Sequence, residues 1–206
     1  MTVDAVIWDI GNVLLDWQPE RFYDAAVGRA RREALFAQVD LYGMNRQVDL
    51  GAPWQATVAA LAARHPDFAP EIMMWHDNWL DMVRPEIPGS VRLLRALSAR
   101  GVPVFALTNF GVESFALAER HFDFLALFDR CCVSGRLGIM KPDPRIYARL
   151  EAECGLPPDR LLFTDDRAGN IAAAAARGWQ THLFDGPEGW AARLFADGLL
   201  PEEVSA

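Results

Sequence analysis

The 206-residue chain has few cysteines, a shortage of basic residues and no long apolar run. Its three cysteines, Cys131, Cys132 and Cys154, form no Cys-x-x-Cys motif and no paired framework. They read as core thiols of a reducing compartment rather than as redox or metal-binding groups. Lys and Arg number 20 against 28 Asp and Glu, a net charge of -8. No basic run tracks a phosphate backbone, so nucleic acid is not an expected partner. No apolar run reaches the roughly 18 residues needed to span a membrane, and the start MTVDAV carries no basic leader. A cytoplasmic protein without a membrane partner is expected. Repeats and low-complexity segments are also absent. Because the diffuse charge is negative, an anionic ligand requires a local cation.

What is present is a chain 51% hydrophobic, enough for one large core or a core with a small satellite. Val3–Trp8 reads as a buried strand that delivers Asp9 to its C-terminal end. From Pro19 to Arg84 the period is helical, with helices expected at Glu20–Val27, Arg31–Val39, Pro53–Arg64 and Pro70–Met82. Asp49 suits a cap on the turn before the third of these. Trp54, Trp75 and Trp79 fall in this block, which reads as a compact helical insertion. Tyr42, Met44, Trp75 and Met82 are expected in its core, and Trp17 at its junction or in a pocket. Beyond Pro88, strands at Val102–Leu107, Asp129–Val133, Arg160–Thr164 and Gln180–Phe184 alternate with helices. Those helices are Ser90–Ala99, Val112–Glu119, Pro144–Cys154, Ile171–Arg177 and Pro187–Ala196. The run Ala172–Ala176 reads as a close-packed helix face. The alternation predicts an α/β fold, a parallel sheet covered on both faces, with ligands beyond the strand C-termini.

Four such ends carry polar groups. The first carries Asp9, the second Thr108 and Asn109, the loop after the third Lys141, and the fourth Asp165 and Asp166. Adjacent carboxylates repel unless something positive compensates. Lys141 and a hard divalent cation such as Mg²⁺ fit that need. Asp9 is then placed to attack an electrophile and form an ester. Were that electrophile phosphorus, Mg²⁺ and Lys141 would neutralise its oxygens. Thr108, Asn109 and the loop amides at Gly11 and Asn12 would donate hydrogen bonds to them.

The segments Asp9-Ile10-Gly11-Asn12-Val13-Leu14, Leu107-Thr108-Asn109, Lys141-Pro142 and Phe163-Thr164-Asp165-Asp166 with Asn170 occur in this order along the chain. Together they resemble the four motifs of the haloacid dehalogenase-like hydrolase superfamily. The resemblance implies a Rossmann-like core at 1–16 and 85–206 and a helical cap at 17–84. It implies Asp9 as nucleophile and a Mg²⁺ held by Asp9, the Gly11 carbonyl and Asp166, with Asp165 and Asn170 in support. It also implies Thr108 and Lys141 as phosphate-binding groups, and a cap that selects the substrate.

Family phosphatases usually carry Asp two residues after the nucleophile, to protonate the leaving oxygen. Here that position is Gly11. Three readings follow. The enzyme takes an easy leaving group, such as a sugar 1-phosphate or acyl phosphate; a cap residue, with His76, Asp77 and Asp81 as candidates, or a water network supplies the proton; or the chain is a weak or non-catalytic phospholigand-binding protein. A metal-independent 2-haloacid dehalogenase is a further alternative, because halide leaves without a proton. The acidic pair Asp165-Asp166 argues for a cation, and so for a small phosphorylated metabolite as ligand. A monomer and a homodimer both remain compatible with the sequence.

Overall fold

The computed structural model describes residues 2–201. Five strands, β1 (Ala5–Trp8), β2 (Val104–Thr108), β3 (Arg130–Val133), β4 (Leu161–Asp165) and β5 (Gln180–Leu183), form one parallel sheet in the order β3-β2-β1-β4-β5. Strand β1 is central: Ile7 pairs with Phe105 of β2 and Phe163 of β4. All four of its residues are buried because both sheet faces are covered. Strand residues point alternately to the two faces. Val6 and Trp8 therefore join one apolar cluster, and Ala5 and Ile7 the other.

Among the described residues, twelve α-helices surround the sheet or extend from it: α1 (Pro19–Val27), α2 (Arg29–Gln38), α3 (Leu41–Asp49), α4 (Trp54–Arg64), α5 (Ala69–Asp77), α6 (Trp79–Met82), α7 (Pro88–Ala99), α8 (Val112–His121), α9 (Ser134–Leu137), α10 (Pro144–Cys154), α11 (Ala168–Ala175) and α12 (Pro187–Ala196). Leu93, Leu94 and Leu97 of α7, Phe115 of α8 and Trp190 and Leu194 of α12 pack on the Trp8 side. Ile146, Tyr147 and Leu150 of α10 and Ala174 of α11 pack on the Ile7 side. Each fully buried large apolar side chain contributes about 1.5–3 kcal/mol. Among the described residues, no helix is long and apolar enough to cross a membrane.

Helices α1–α6 form the insert between β1 and β2. The expected helices are there, with three differences. The segment expected as one helix over Pro70–Met82 breaks at Asn78 into α5 and α6. Helix α3 was not expected. Asp40 caps it by accepting a hydrogen bond from the Gly43 amide, and Leu41, Met44 and Val48 make its short apolar stripe. Asp49 is thus the last residue of α3, not a cap on α4. In the core, only Ala174 of the Ala172–Ala176 run is buried, because α11 presents one narrow stripe to β4.

The insert meets the sheet through glycines. A Cβ on Gly135 would lie 2.7 Å from the Phe110 carbonyl oxygen and 2.9 Å from the Val112 nitrogen. One on Gly51, which has a φ of +100°, would lie 2.7 Å from the Gly135 carbonyl oxygen. One on Gly111 would strike Val48 at 2.5 Å. Backbone atoms cannot rotate away as side chains can. Gly135→Ala is therefore expected to destabilise the protein by about 1–3 kcal/mol, the usual cost of overpacking. Urea unfolding measures it, and a midpoint equal to that of the unmodified protein would refute the close packing.

Candidate active site

The polar strand ends converge. Asp9 follows β1, and its backbone amide donates to the Thr164 carbonyl at 3.0 Å, extending the ladder by one residue. Lys141 Nζ lies 2.9 Å from Asp9 Oδ1 and 2.6 Å from Asp165 Oδ2. This triad is enclosed, with Lys141 2%, Asp9 7% and Asp165 0% exposed. Burial pushes the Asp9 carboxyl up to about 7, with the Lys141 charge opposing and Asp165 adding to the rise. Burial pulls Lys141 down, but Asp9 and Asp165 outweigh it and leave the ammonium above the usual lysine value. Burial also raises Asp166, against a hydrogen bond from Asn12.

Carboxylate oxygens of Asp9, Asp165 and Asp166 lie within 4.8 Å of one another. Three carboxylates against one ammonium leave unbalanced negative charge in a confined space. A small hard cation with a preference for oxygen ligands fits such a cluster. The three do not have equal freedom to bind one. Asp165 Oδ1 accepts from the Arg167 amide at 2.8 Å and from Asn170 Nδ2 at 2.9 Å. Its Oδ2 accepts from Asn170 at 2.9 Å and from Lys141 at 2.6 Å. A carboxylate offers about four lone-pair sites, and all four of these are taken within the protein.

Local conformation holds the remaining groups. Asn12 has a φ of +56°, a left-handed conformation that asparagine tolerates better than most residues. From there its Nδ2 donates to Asp166 Oδ2 at 3.2 Å, and its Oδ1 accepts from the Trp17 amide at 3.0 Å. Asn109 clasps the Lys141 backbone from both sides: its Oδ1 accepts from the Lys141 amide at 2.8 Å, and its Nδ2 donates to the Lys141 carbonyl at 3.0 Å. The side chain expected to meet a ligand is occupied in shaping the lysine loop. Ile10 N donates to Asp9 Oδ1 at 2.7 Å and fixes that carboxyl's rotamer.

These groups open on a cavity of about 780 Å³. Asp9, Gly11, Asn12, Thr108, Asn109, Lys141, Asp166 and Asn170 all line it. Asp165 does not; it lies behind Lys141. The insert supplies another wall with Trp17, Tyr42, Asn45, Arg46, Asp49 and Trp79. Trp17 both lines the cavity and stacks edge-on against Trp75, at 5.7 Å between ring centroids. Tyr42 is half exposed and faces the cavity, whereas Met44, Trp75 and Met82 are core as expected. The candidate donors His76, Asp77 and Asp81 do not line it; His76 instead pairs with its neighbour Asp77 at 2.7 Å. Asn45, Arg46 and Asp49 reach the cavity from α3, the helix that the sequence periodicity did not announce. The spacing of Leu41, Met44 and Val48 after Asp40 was the available signal.

The model of a family described as haloacid dehalogenase-like hydrolase matches residues 3–178. Among curated proteins, the chain is similar to sesquiterpene phosphatase astK of Aspergillus oryzae, 35% identical over 45% of this chain and 48% of that protein. It is also similar to (S)-2-haloacid dehalogenase H-109 of Pseudomonas putida, 30% identical over 42% of this chain and 39% of that protein. The matched stretches thus span less than half the length of these relatives. Among solved structures, a HAD family enzyme of Bacteroides thetaiotaomicron superposes with a TM-score of 0.73 at 20% identity, covering 94% of this chain and 99% of that one. That enzyme has also been solved with magnesium and inorganic phosphate, with a TM-score of 0.69 at 20% identity, covering 89% of this chain and 95% of that one.

Proposed function

The chain belongs to the haloacid dehalogenase-like hydrolases, and from that membership we propose that it is a Mg²⁺-dependent phosphatase of a small phosphorylated metabolite. Residues 17–84 serve as the cap, and 1–16 with 85–206 as the core. The Asp9–Asp165–Asp166 cluster carries this reading. Displacing halide from carbon requires no cation, and so gives no reason to gather three carboxylates. Magnesium and phosphate bound to a structural relative support the same choice.

In this mechanism Asp9 attacks phosphorus through the oxygen not held by Ile10 N and Lys141. The phosphorus–oxygen bond to the leaving group breaks as the aspartyl phosphate forms. Lys141 keeps Asp9 aligned and lies beside the phosphoryl oxygens, with the Thr108 hydroxyl as a hydrogen-bond donor to them. Asp9, Asp166 and the Gly11 carbonyl hold the metal, which when bound supplies positive charge against those oxygens. Asp165 and Asn170 act from behind: Asn170 holds Asp165, and Asp165 holds Lys141. Water then cleaves the acyl phosphate and regenerates Asp9.

Phosphate release from a panel of phosphorylated metabolites, including sugar 1-phosphates, tests the proposal. Release that requires Mg²⁺ and stops with a chelator is expected. Chloride release from a 2-haloacid without metal would instead establish the dehalogenase reading. A related expectation concerns Gly11. A Cβ there meets nothing within 4 Å, so Gly11→Ala should cost less than about 1 kcal/mol. A thermal scan showing a larger loss would mean that the loop rejects side chains.

A further inference from the structure

Attack by Asp9 on an ordinary phosphate ester leaves an alkoxide, which needs a proton as it departs. Gly11 cannot give one. Among the described residues, the carboxyls lining the cavity are Asp9, Glu20, Asp49 and Asp166, and no histidine lines it. Asp9 is spent as nucleophile, and Asp166 belongs to the acidic cluster. Glu20 is exposed on α1. Arg46 and Arg167 also line the cavity, but guanidinium groups do not release protons near neutrality. Burial raises the Tyr42 phenol above its ordinary value of 10, which makes it a poorer acid.

Asp49 remains, and it is built into place. It ends α3, and its own carbonyl accepts from Ser134 Oγ of the core at 2.6 Å. The close approach of Gly51 to Gly135 fixes the next turn of chain. Asn45 Nδ2 donates to Asp49 Oδ2 at 2.9 Å, which orients the carboxyl. We propose that Asp49 protonates the leaving-group oxygen, so that the insert supplies the acid absent at position 11; this rests on the phosphatase reading above. Burial pushes this carboxyl up to about 7, against the Gly111 amide and the Arg167 charge. A carboxylic acid of that strength is well matched to proton donation near neutral pH.

The step balances. The Asp9 oxygen–phosphorus bond forms and the phosphorus–leaving-group bond breaks. The electron pair stays on the leaving oxygen, which takes the Asp49 proton and departs as an alcohol. Asp49, now a carboxylate, takes a proton from the water that cleaves the aspartyl phosphate. Inorganic phosphate leaves, and both carboxyls return to their starting states.

The test compares phenyl phosphate with para-nitrophenyl phosphate, whose phenolate leaves without a proton. With Mg²⁺ present, Asp49→Asn should lower kcat/KM for phenyl phosphate by about 10²-fold, the lower end of general acid catalysis. The loss on para-nitrophenyl phosphate should stay below about 10-fold on the same scale. Asp49→Ala, measured alongside, should show the same contrast if the asparagine variant does not fold. Equal losses on both esters, or no loss on either, would overturn the donor role and leave the phosphatase reading standing. Absence of Mg²⁺-dependent release by the unmodified protein from both esters would overturn the phosphatase reading, and the donor with it.

Discussion

Asp9→Asn is expected to reduce phosphate release by about 10⁴-fold or more, the scale on which removing a nucleophile acts, without unfolding the protein. The substitution keeps the shape of the side chain. An amide oxygen at Oδ1 still accepts from Ile10 N, which lies 2.7 Å from that atom. Lys141 keeps Asp165 at 2.6 Å, so the buried ammonium is not orphaned. One of three crowded carboxyls is lost, which relieves repulsion with Asp165 and Asp166. Activity should therefore collapse while the urea midpoint holds or rises. Phosphate release and unfolding measured on one preparation decide the matter. Turnover that survives would mean that Asp9 does not form the ester.

Lys141→Met is expected to cost about 3–5 kcal/mol of stability, the price of removing one partner from a buried ion pair. The lysine is almost fully enclosed, and its loss leaves Asp9 and Asp165 facing each other across an apolar side chain. Asp9 can respond by holding a proton. Burial has already pushed Asp9 up to about 7 with the lysine present, and removing the lysine charge raises it further. A folded state that binds more protons than the unfolded one loses stability as pH rises. The deficit should thus be small near pH 4 and grow through neutrality. Urea unfolding at about pH 5 and about pH 8 reads it directly. A variant as stable as the parent at both values would show that the triad bears no strain.

The order of strands and helices was legible because its signals are local. Helix α10 falls where Pro144 and Gly155 bracket it, and α12 where Pro187 opens it. Polar residues after apolar runs announced that Asp9, Thr108, Lys141 and Asp166 would share a site. Their division of labour was not legible, because it depends on contacts between distant segments. Nothing near Asn109 says that its amide is consumed by the Lys141 backbone, 32 residues on. Nothing near Asp165 says that Lys141, Asn170 and the Arg167 amide exhaust its oxygens. Asp49 was hidden for another reason. Gly43 interrupts a nine-residue helix whose apolar stripe is only three residues long, and the segment reads as loop. The candidates His76, Asp77 and Asp81 had the right chemistry, but α5 and α6 do not turn them into the cavity.

The glycine seam separates what this fold can vary from what it must keep. At the back of α3, Val48 and the chain through Gly51 lie against Gly111 and Gly135 with almost no side chain between them. At the front of the same helix, Tyr42 and Arg46 face the cavity and take no part in that seam. Substitutions on the front can reshape the ligand-facing wall without shifting the helix, whereas those on the back move everything it carries. One short helix therefore acts as a mounting plate with exchangeable fittings, and divergence toward new substrates has an open route along a single face of it.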